Sequence, residues 1–502
     1  MIGASRSDAA AVAADSAADS AAVAVAVAVD AGAVVDGVVE VASDDAGVAS
    51  AAGIGSDGAR SSPDRRVRML AVAAAVLLVL PVFLHVNGWY VGLGQSNRAG
   101  LRSPGVTVPL NTLAVAAMVA VSAFWSAVPL ARVPRRRVGL LGAFVVAQLA
   151  ACGWGTLHPA SEGAWSLGAL YLVQSLVPLT AFVLFYRLAA TEGLPVIRIV
   201  ATTAALVLGA VCALLLVATV VAGTDPLTGF HGALGPFVIS KGARFFPTAV
   251  SVFAGWSLAT AWRQRSAVHA VAGVAGLGVL VIGHSRTALL IGLVLTAATA
   301  VRLVSGRRRI ALTGALLVTG TVLVIGVLQL EPTPDGEGSA LLRSASRMAD
   351  VVQANTDNQN RLAAITGSLR TGLSRPFGNA YQATEELGTN GRPTAVARVA
   401  VSENLYGEFA ARSGPLGLAT FVAILVVALR SAASLRVRRE SEPLASAWLA
   451  PALVLLVPLG GLTQLNATEF YIAPVSWGLM GLAIGVADHV RRLARDAAAE
   501  GR

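Results

Sequence analysis

At 502 residues, with 55% hydrophobic side chains, 13% charged ones and a mean hydropathy of +0.69, the chain carries more apolar surface than a soluble domain needs. The formal net charge of +10 is unevenly spread: residues 1–64 hold ten acids and two arginines, so residues 65–502 carry 36 basic and 18 acidic side chains. Orientation in a membrane accounts for that excess and leaves no call for a nucleic-acid partner.

Residues 1–64 are rich in Ala, Val, Ser, Asp and Gly and contain no aromatic residue, so they lack the side chains that build a core and read as a disordered acidic tail. The run AAVAVAVAVDAGAVVDGVVEV within it alternates like a strand. Asp30, Asp36 and Glu40 interrupt it and no basic region precedes it, which argues against a signal peptide or a first span.

From Arg65 onward twelve apolar segments follow, at about 67–86, 108–129, 138–157, 165–187, 197–222, 245–262, 268–283, 286–304, 309–329, 414–430, 444–462 and 470–488. The expected fold is an all-α polytopic membrane protein of about twelve spans, with spans 1–9 in residues 65–330 and spans 10–12 in 414–490. Arginine placement alternates to match. One side receives RRVR, ARVPRRR, Arg187 with Arg198, WRQR, RLVSGRRR, RSAASLRVRR and VRRLAR, while the opposite short loops carry five basic residues between them. Under the positive-inside rule both termini are cytoplasmic, including the basic tail 491–502, and the long polar stretch 331–413 faces outside the cytoplasmic membrane. That stretch, with nine acids and eight bases, is where chemistry is expected. Cys152 and Cys212 sit in apolar runs and read as small buried thiols.

Four constellations on the outer side could carry chemistry. In GHSRTALLIGL, His284 and Arg286 stand at the mouth of a span, either as an interfacial anchor or as a site. In FVISKGARFFPTAV, Lys241, the only lysine of the chain, and Arg244 lie three residues apart. Cations there run against the orientation rule and suit an anionic ligand. In NRLAAITGSLRTGLSRPFGNA, Leu362, Ile365, Leu369 and Leu373 recur at helical spacing. The segment reads as an amphipathic helix closed by Arg375-Pro376, with Gly378 in a turn beyond and Arg361 and Arg370 in water if it merely lies on a membrane. A second such helix is expected from Leu341 to Val352. In SENLYGEFAARSGPLGL, Glu403, Tyr406 and Arg412 precede a Gly-Pro start to the tenth span, and a lone Glu there is ordinarily a solvated charge.

Taken together, these motifs resemble the O-antigen ligase and O-antigen polymerase family of bacterial envelope glycosyltransferases. Ser285-Arg286-Thr287-Ala288 is similar to that family's Ser-Arg-small start to a span. Arg361 followed by Pro376-Phe377-Gly378 is similar to its Arg and Pro-x-Gly pair. Glu403-Asn404-Leu405-Tyr406 with Gly414 and Gly417 is similar to its His-Asn-x-Tyr followed by two glycines, with Glu403 where the family has histidine. The resemblance implies a polyprenyl-diphosphate-linked glycan donor and a glycan, lipid or protein acceptor. It implies Arg286 and Arg361 on the diphosphate, Lys241 and Arg244 as secondary contacts, and Asn404 and Tyr406 beside the substrate. Glu403 would be the base that takes the acceptor proton, with Glu408 or His284 as alternatives. With no Asp-x-Asp in the outer loops and no His cluster, neither metal nor other cofactor is expected. The rival class is a lipid-linked sugar flippase or another twelve-span transporter, which would place polar residues along the middle of several spans. A non-catalytic scaffold of an envelope assembly is a third.

Overall fold

A computed structural model describes residues 65–83, 90–93, 97–98, 101–102, 106–109, 130–158, 171–173, 175–222, 245–282, 286–304, 307–311, 356–381, 384–387, 393–398, 404–435, 442–462, 467–468 and 472–500. All of them belong to the unit Pro63–Arg502. The N-terminal stretch 1–64, the apolar segment 110–129, most of 309–329 and the segment Leu341 to Val352 lie outside the described residues.

The described chain is predominantly helical. In order it forms α1 (Arg65–Phe83), α2 (Arg135–Leu157), α3 (Leu179–Glu192), α4 (Leu194–Ala222), α5 (Phe245–Gln264), α6 (Ala267–Ile282) and α7 (Arg286–Leu303). These are followed by α8 (Thr356–Ser374), α9 (Leu405–Ser434), α10 (Pro443–Val454) and α11 (Ala473–Glu500). Ten of the twelve apolar segments thus coincide with helices in whole or in part. Six short strands form three antiparallel hairpins, which the helical reading did not foresee. β1 (Tyr90–Leu93) pairs with β4 (Val106–Pro109), β2 (Asn97–Arg98) with β3 (Leu101–Arg102), and β5 (Thr384–Leu387) with β6 (Pro393–Arg398). All three fall between apolar segments, where backbone must find partners without a continuing helix.

Among the described residues, four helical stretches are long and apolar enough to cross a membrane: Arg135–Leu157, Leu194–Val217, Leu405–Ser434 and Pro443–Leu462. The chain is on that ground a helical membrane protein. Its outer faces agree with a lipid solvent. Val268, Val271 and Val274 run along one face of α6 and are each more than 60% exposed, a stripe that water would penalise and hydrocarbon does not. Cys152 and Cys212 are both buried and unpaired with each other, as small core thiols.

Since lipid tails are as apolar as leucine, such helices associate by close packing, which favours small residues at their contacts. Gly481 and Gly485 of α11, four residues apart, face α3 so closely that a Cβ on either would stand 2.4 Å from the Phe182 carbonyl oxygen or 2.5 Å from that of Tyr186. Gly209 of α4 meets Ala272 of α6, and Gly276 of α6 meets Ala254 of α5, in the same manner. The centre is aromatic. Phe144 of α2, Phe409 and Phe421 of α9 and Trp477 of α11 stack or meet edge to face with centroids 4.3–5.9 Å apart. A fully buried Trp448 of α10 and Trp256 of α5 make a second such contact at 5.3 Å.

The helix α2 gives the bundle two distinguishable ends. Its first turn ion-pairs with Asp488 of α11 through Arg137, and its last turn touches residues 375–381 beyond α8. At 23 residues it rises about 35 Å between them, slightly more than the ~30 Å of a hydrocarbon core. Three of the basic segments that orientation assigns to one side gather at the first end. Arg187 Nε donates to Ala131 O at 3.3 Å, and residues 131–137 meet residues 488–491.

Replacing Gly481 with leucine should overpack the α3–α11 contact at a cost of about 1–3 kcal/mol. The expected result is a lower Tm for the purified protein in detergent, with Gly139→Leu, where a Cβ meets nothing within 4 Å, as the neutral comparison.

Candidate functional site

Two of the motifs meet in one place. Helix α8 ends at Ser374, and residues 375–381 fold back as a turn against the first half of α9. α9 itself is two helices joined at Gly414, whose φ of 69° and ψ of −168° are open only to glycine, with Pro415 next. A Cβ on Gly414 would stand 2.3 Å from Pro376 O, and one on Gly378, also at positive φ, 2.4 Å from Ala410 O. The Pro-x-Gly of one motif and the glycine of another are therefore two sides of one backbone contact. Asn379 N and Tyr381 N continue it, donating to Ala411 O at 2.6 Å and Arg412 O at 3.1 Å.

Ala380 and Tyr381 hold left-handed φ values of 51° and 59° without being glycine, a conformation that costs roughly 1–2 kcal/mol per residue. The side chain of Tyr381 shows what offsets it. Its hydroxyl donates to Gln148 Oε1 of α2 and lies 3.1 Å from Ser175 Oγ. Gln148 Nε2 donates to Ser413 Oγ at 3.1 Å, and Ser413 Oγ donates to Phe409 O at 2.9 Å. Arg412 Nη1 donates to Ser175 Oγ at 3.3 Å, its other terminal nitrogen pairs with Glu408, and its guanidinium stands 4.9 Å from the Tyr171 ring centroid. Glu408 and Arg412 are 1% and 3% exposed. Burial pushes the Tyr381 phenol up to about 12, well above an ordinary tyrosine, with Arg412 acting the other way.

Sequence reasoning missed Gln148, Ser175 and Tyr381. The available signal was a lone amide in the otherwise apolar GAFVVAQLAACGWG, which hydrocarbon tolerates only with a partner. It named Arg412 and held Glu408 in reserve as a base. Glu408 instead is sealed in the bundle and committed to Arg412, so it is not poised to meet an acceptor. The helix that carries this motif begins nine residues before Gly414 with its first half packed inside the protein, and a second helix starts at the kink, where the Gly-Pro start of a span is expected.

The proposed site residues fare as follows. Asn404 caps α9, its side-chain oxygen accepting from Gly407 N at 2.6 Å. Tyr406 Oη donates to Pro458 O at 3.0 Å, in the π-helical turn that breaks the tenth helix. Both therefore brace the frame. Arg286 is the first residue of α7 and Arg361 lies within α8, but their side chains lie outside the described residues, as do Lys241, Arg244, His284 and Glu403 altogether. α8 is a helix where expected, yet Leu373 is 51% exposed. The helix docks instead through Gly372, whose missing Cβ lets it reach the backbone of Ala410. Trp154, half-exposed, stacks on His158 at 4.1 Å and Phe377 at 5.4 Å, an aromatic group of the kind that marks a membrane interface. Among the described residues no three His, Cys, Asp or Glu side chains come together as a metal site.

Tyr381→Phe, which leaves Gln148 Oε1 without its donor, should cost about 1–3 kcal/mol of stability. Arg412→Ala should cost more, about 3–5 kcal/mol, because Glu408 stays behind as a buried charge. Melting curves of the purified variants check the order. A tyrosinate absorbance titration should find one fewer phenol still protonated above pH 11 in Tyr381→Phe than in the parent. Since the folded value of the Tyr381 phenol is raised above the unfolded one, the stability it contributes is complete below about pH 10 and is lost as the pH rises through 12.

No protein-family model and no curated protein matches this chain.

Proposed function

We propose that the chain transfers a glycan from a polyprenyl-diphosphate-linked donor to an acceptor hydroxyl at the outer face of the cytoplasmic membrane, as an O-antigen ligase or polysaccharide polymerase does. The reading includes twelve spans, cytoplasmic termini and residues 331–413 as an outer loop. The observation that carries it is the backbone contact of Pro376 and Gly378 with Gly414, which joins two motifs far apart in sequence at the end of α2 opposite the arginine-rich end. Motif residues that meet give a reason for their spacing.

In this reaction the bond between the anomeric carbon and the phosphate oxygen breaks, and a bond from that carbon to the acceptor oxygen forms. The acceptor proton passes to Glu403, and the electron pair leaves with the lipid diphosphate. Arg286 and Arg361 neutralise the departing charge, with Lys241 and Arg244 as further cations. Asn404 and Tyr406 act by fixing the helix start that follows Glu403 in the chain.

A transporter is the second reading, and the buried Gln148, Glu408 and Arg412 are the observation in its favour. These groups gather at the kink of α9 and bind one another, so they fasten the loop more readily than they line a path. Purified protein given labelled lipid-linked oligosaccharide separates the two: elongated or transferred glycan supports the enzyme, and its absence in otherwise folded protein overturns it.

Within that assay Glu403→Gln should lower turnover about 10²–10⁴-fold while donor binding barely changes. Arg286→Ala should weaken both donor binding and rate, since the diphosphate is charged in ground and transition states alike. Partial activity in Glu403→His would mean that the position carries the role more than the carboxylate does. Parental turnover in Glu403→Gln would move the base elsewhere.

A further inference from the structure

The opposite end of the bundle holds a second place built for an anion. A cavity of about 190 Å³ opens between residues 131–136, the last turns of α3 and residues 488–495 of α11, several times the ~30 Å³ of liquid volume a water takes. Five arginines line it, Arg132, Arg136, Arg491, Arg492 and Arg495, against the single carboxylate of Asp488.

That carboxylate is already saturated. Arg137 approaches it with Nε and Nη2, both at 3.3 Å, Arg491 reaches it at 3.1 Å, Arg136 at 3.7 Å, and Tyr186 Oη donates to it at 3.0 Å. Arg492 donates to Ala190 O at 2.6 Å. Arg132 and Arg495 pair with no carboxylate among the described residues, so the cavity wall keeps a net positive charge. The positive-inside rule explains why each segment is basic. It does not explain why two segments, more than 350 residues apart, meet around one cavity with their cations facing a single acid.

We infer that this cavity binds the phosphodiester headgroup of an anionic phospholipid of the cytoplasmic leaflet. Guanidinium groups match phosphate oxygens in pairs, and the site stands at the end of spanning helices where headgroups are at hand. A phosphate held there would bridge the start of α2 and the end of α11, drawing together two segments whose charges otherwise repel. The inference does not depend on the glycan-transfer reading, which concerns the other end.

The test uses the full chain in zwitterionic detergent, with lipid binding followed by native mass spectrometry as phosphatidylglycerol or phosphatidylcholine is added. Phosphatidylglycerol should bind the more tightly. The double variant Arg132→Ala/Arg495→Ala, which breaks no ion pair among the described residues, should lose affinity for it about tenfold or more, as expected for about 1.4 kcal/mol or more of charge-assisted contact. Affinity for phosphatidylcholine should stay unchanged and serves as the check that the variant is folded. Should the double variant fail to fold, Arg495→Ala alone, near the exposed end of α11, gives the same reading. Equal affinity for the two lipids, an undiminished preference in the variant, or saturation of the effect by inorganic phosphate alone would each overturn the proposal.

Discussion

Apolar helices in hydrocarbon gain nothing from hiding their side chains, so the structure depends on how closely backbones can approach. At three crossings of described helices a glycine or alanine stands at the contact: Gly481 and Gly485 between α11 and α3, Gly209 and Ala272 between α4 and α6, Gly276 and Ala254 between α6 and α5. Close approach brings many weak contacts into range at once and leaves little room for alternative registers. The same rule builds the frame around the turn at 375–381, where Gly378 and Gly414 let a turn and a kinked helix share carbonyls and amides that a Cβ would separate.

That frame stores strain and then secures it. Two non-glycine residues in the left-handed region, and a glycine with a proline inside a helix, would unwind locally if left to themselves. Tyr381 is the pin. Its phenol enters the bundle beside Gln148 and Ser175, and its backbone amide holds Arg412 O, so the turn cannot relax without breaking a buried polar network. Arg412 and Glu408 belong to the same network. An ion pair this deep adds little net stability against apolar packing, but it punishes any arrangement that separates its members. A segment that must present residues at a membrane surface in one geometry gains from that kind of restraint.

How much of this was legible in the sequence follows the same physics. Helices that lipid surrounds declare themselves through length and hydropathy, so the ends of α2, α5, α6 and α7 fall within a few residues of the apolar segments. The helix before Arg375-Pro376 was legible too, because proline and a following glycine punctuate locally. The network was not, since Gln148 and Tyr381 are 233 residues apart and neither has a local pattern. Leu373 misled for a related reason: periodicity reports which face is apolar, whereas docking was decided by the absence of a side chain at Gly372. The beginning of α9 was hidden because its first half is polar in composition and buried by ion pairing, a combination hydropathy reads as loop.

The two ends of α2 are held by different forces, and this gives the molecule a polarity beyond its charge count. At the end beside residues 375–381 the described contacts are carbonyl, amide and glycine, short and directional, and the Glu408–Arg412 ion pair is shielded from solvent, so dissolved salt barely reaches it. At the other end three guanidinium groups meet Asp488, with Arg136 and Arg491 60% and 46% exposed, within reach of mobile ions. With a screening length of about 8 Å at physiological ionic strength, attraction to Asp488 and repulsion among the arginines are both weakened there. Repulsion acts over the longer distances and is screened first, so moderate salt relaxes that end toward tighter packing. An anion lodged among the arginines does the same more strongly, because it adds fixed hydrogen bonds to the neutralised charge. Ionic conditions at that end can thus tighten or loosen it while the strained turn at the other end of the bundle keeps its geometry.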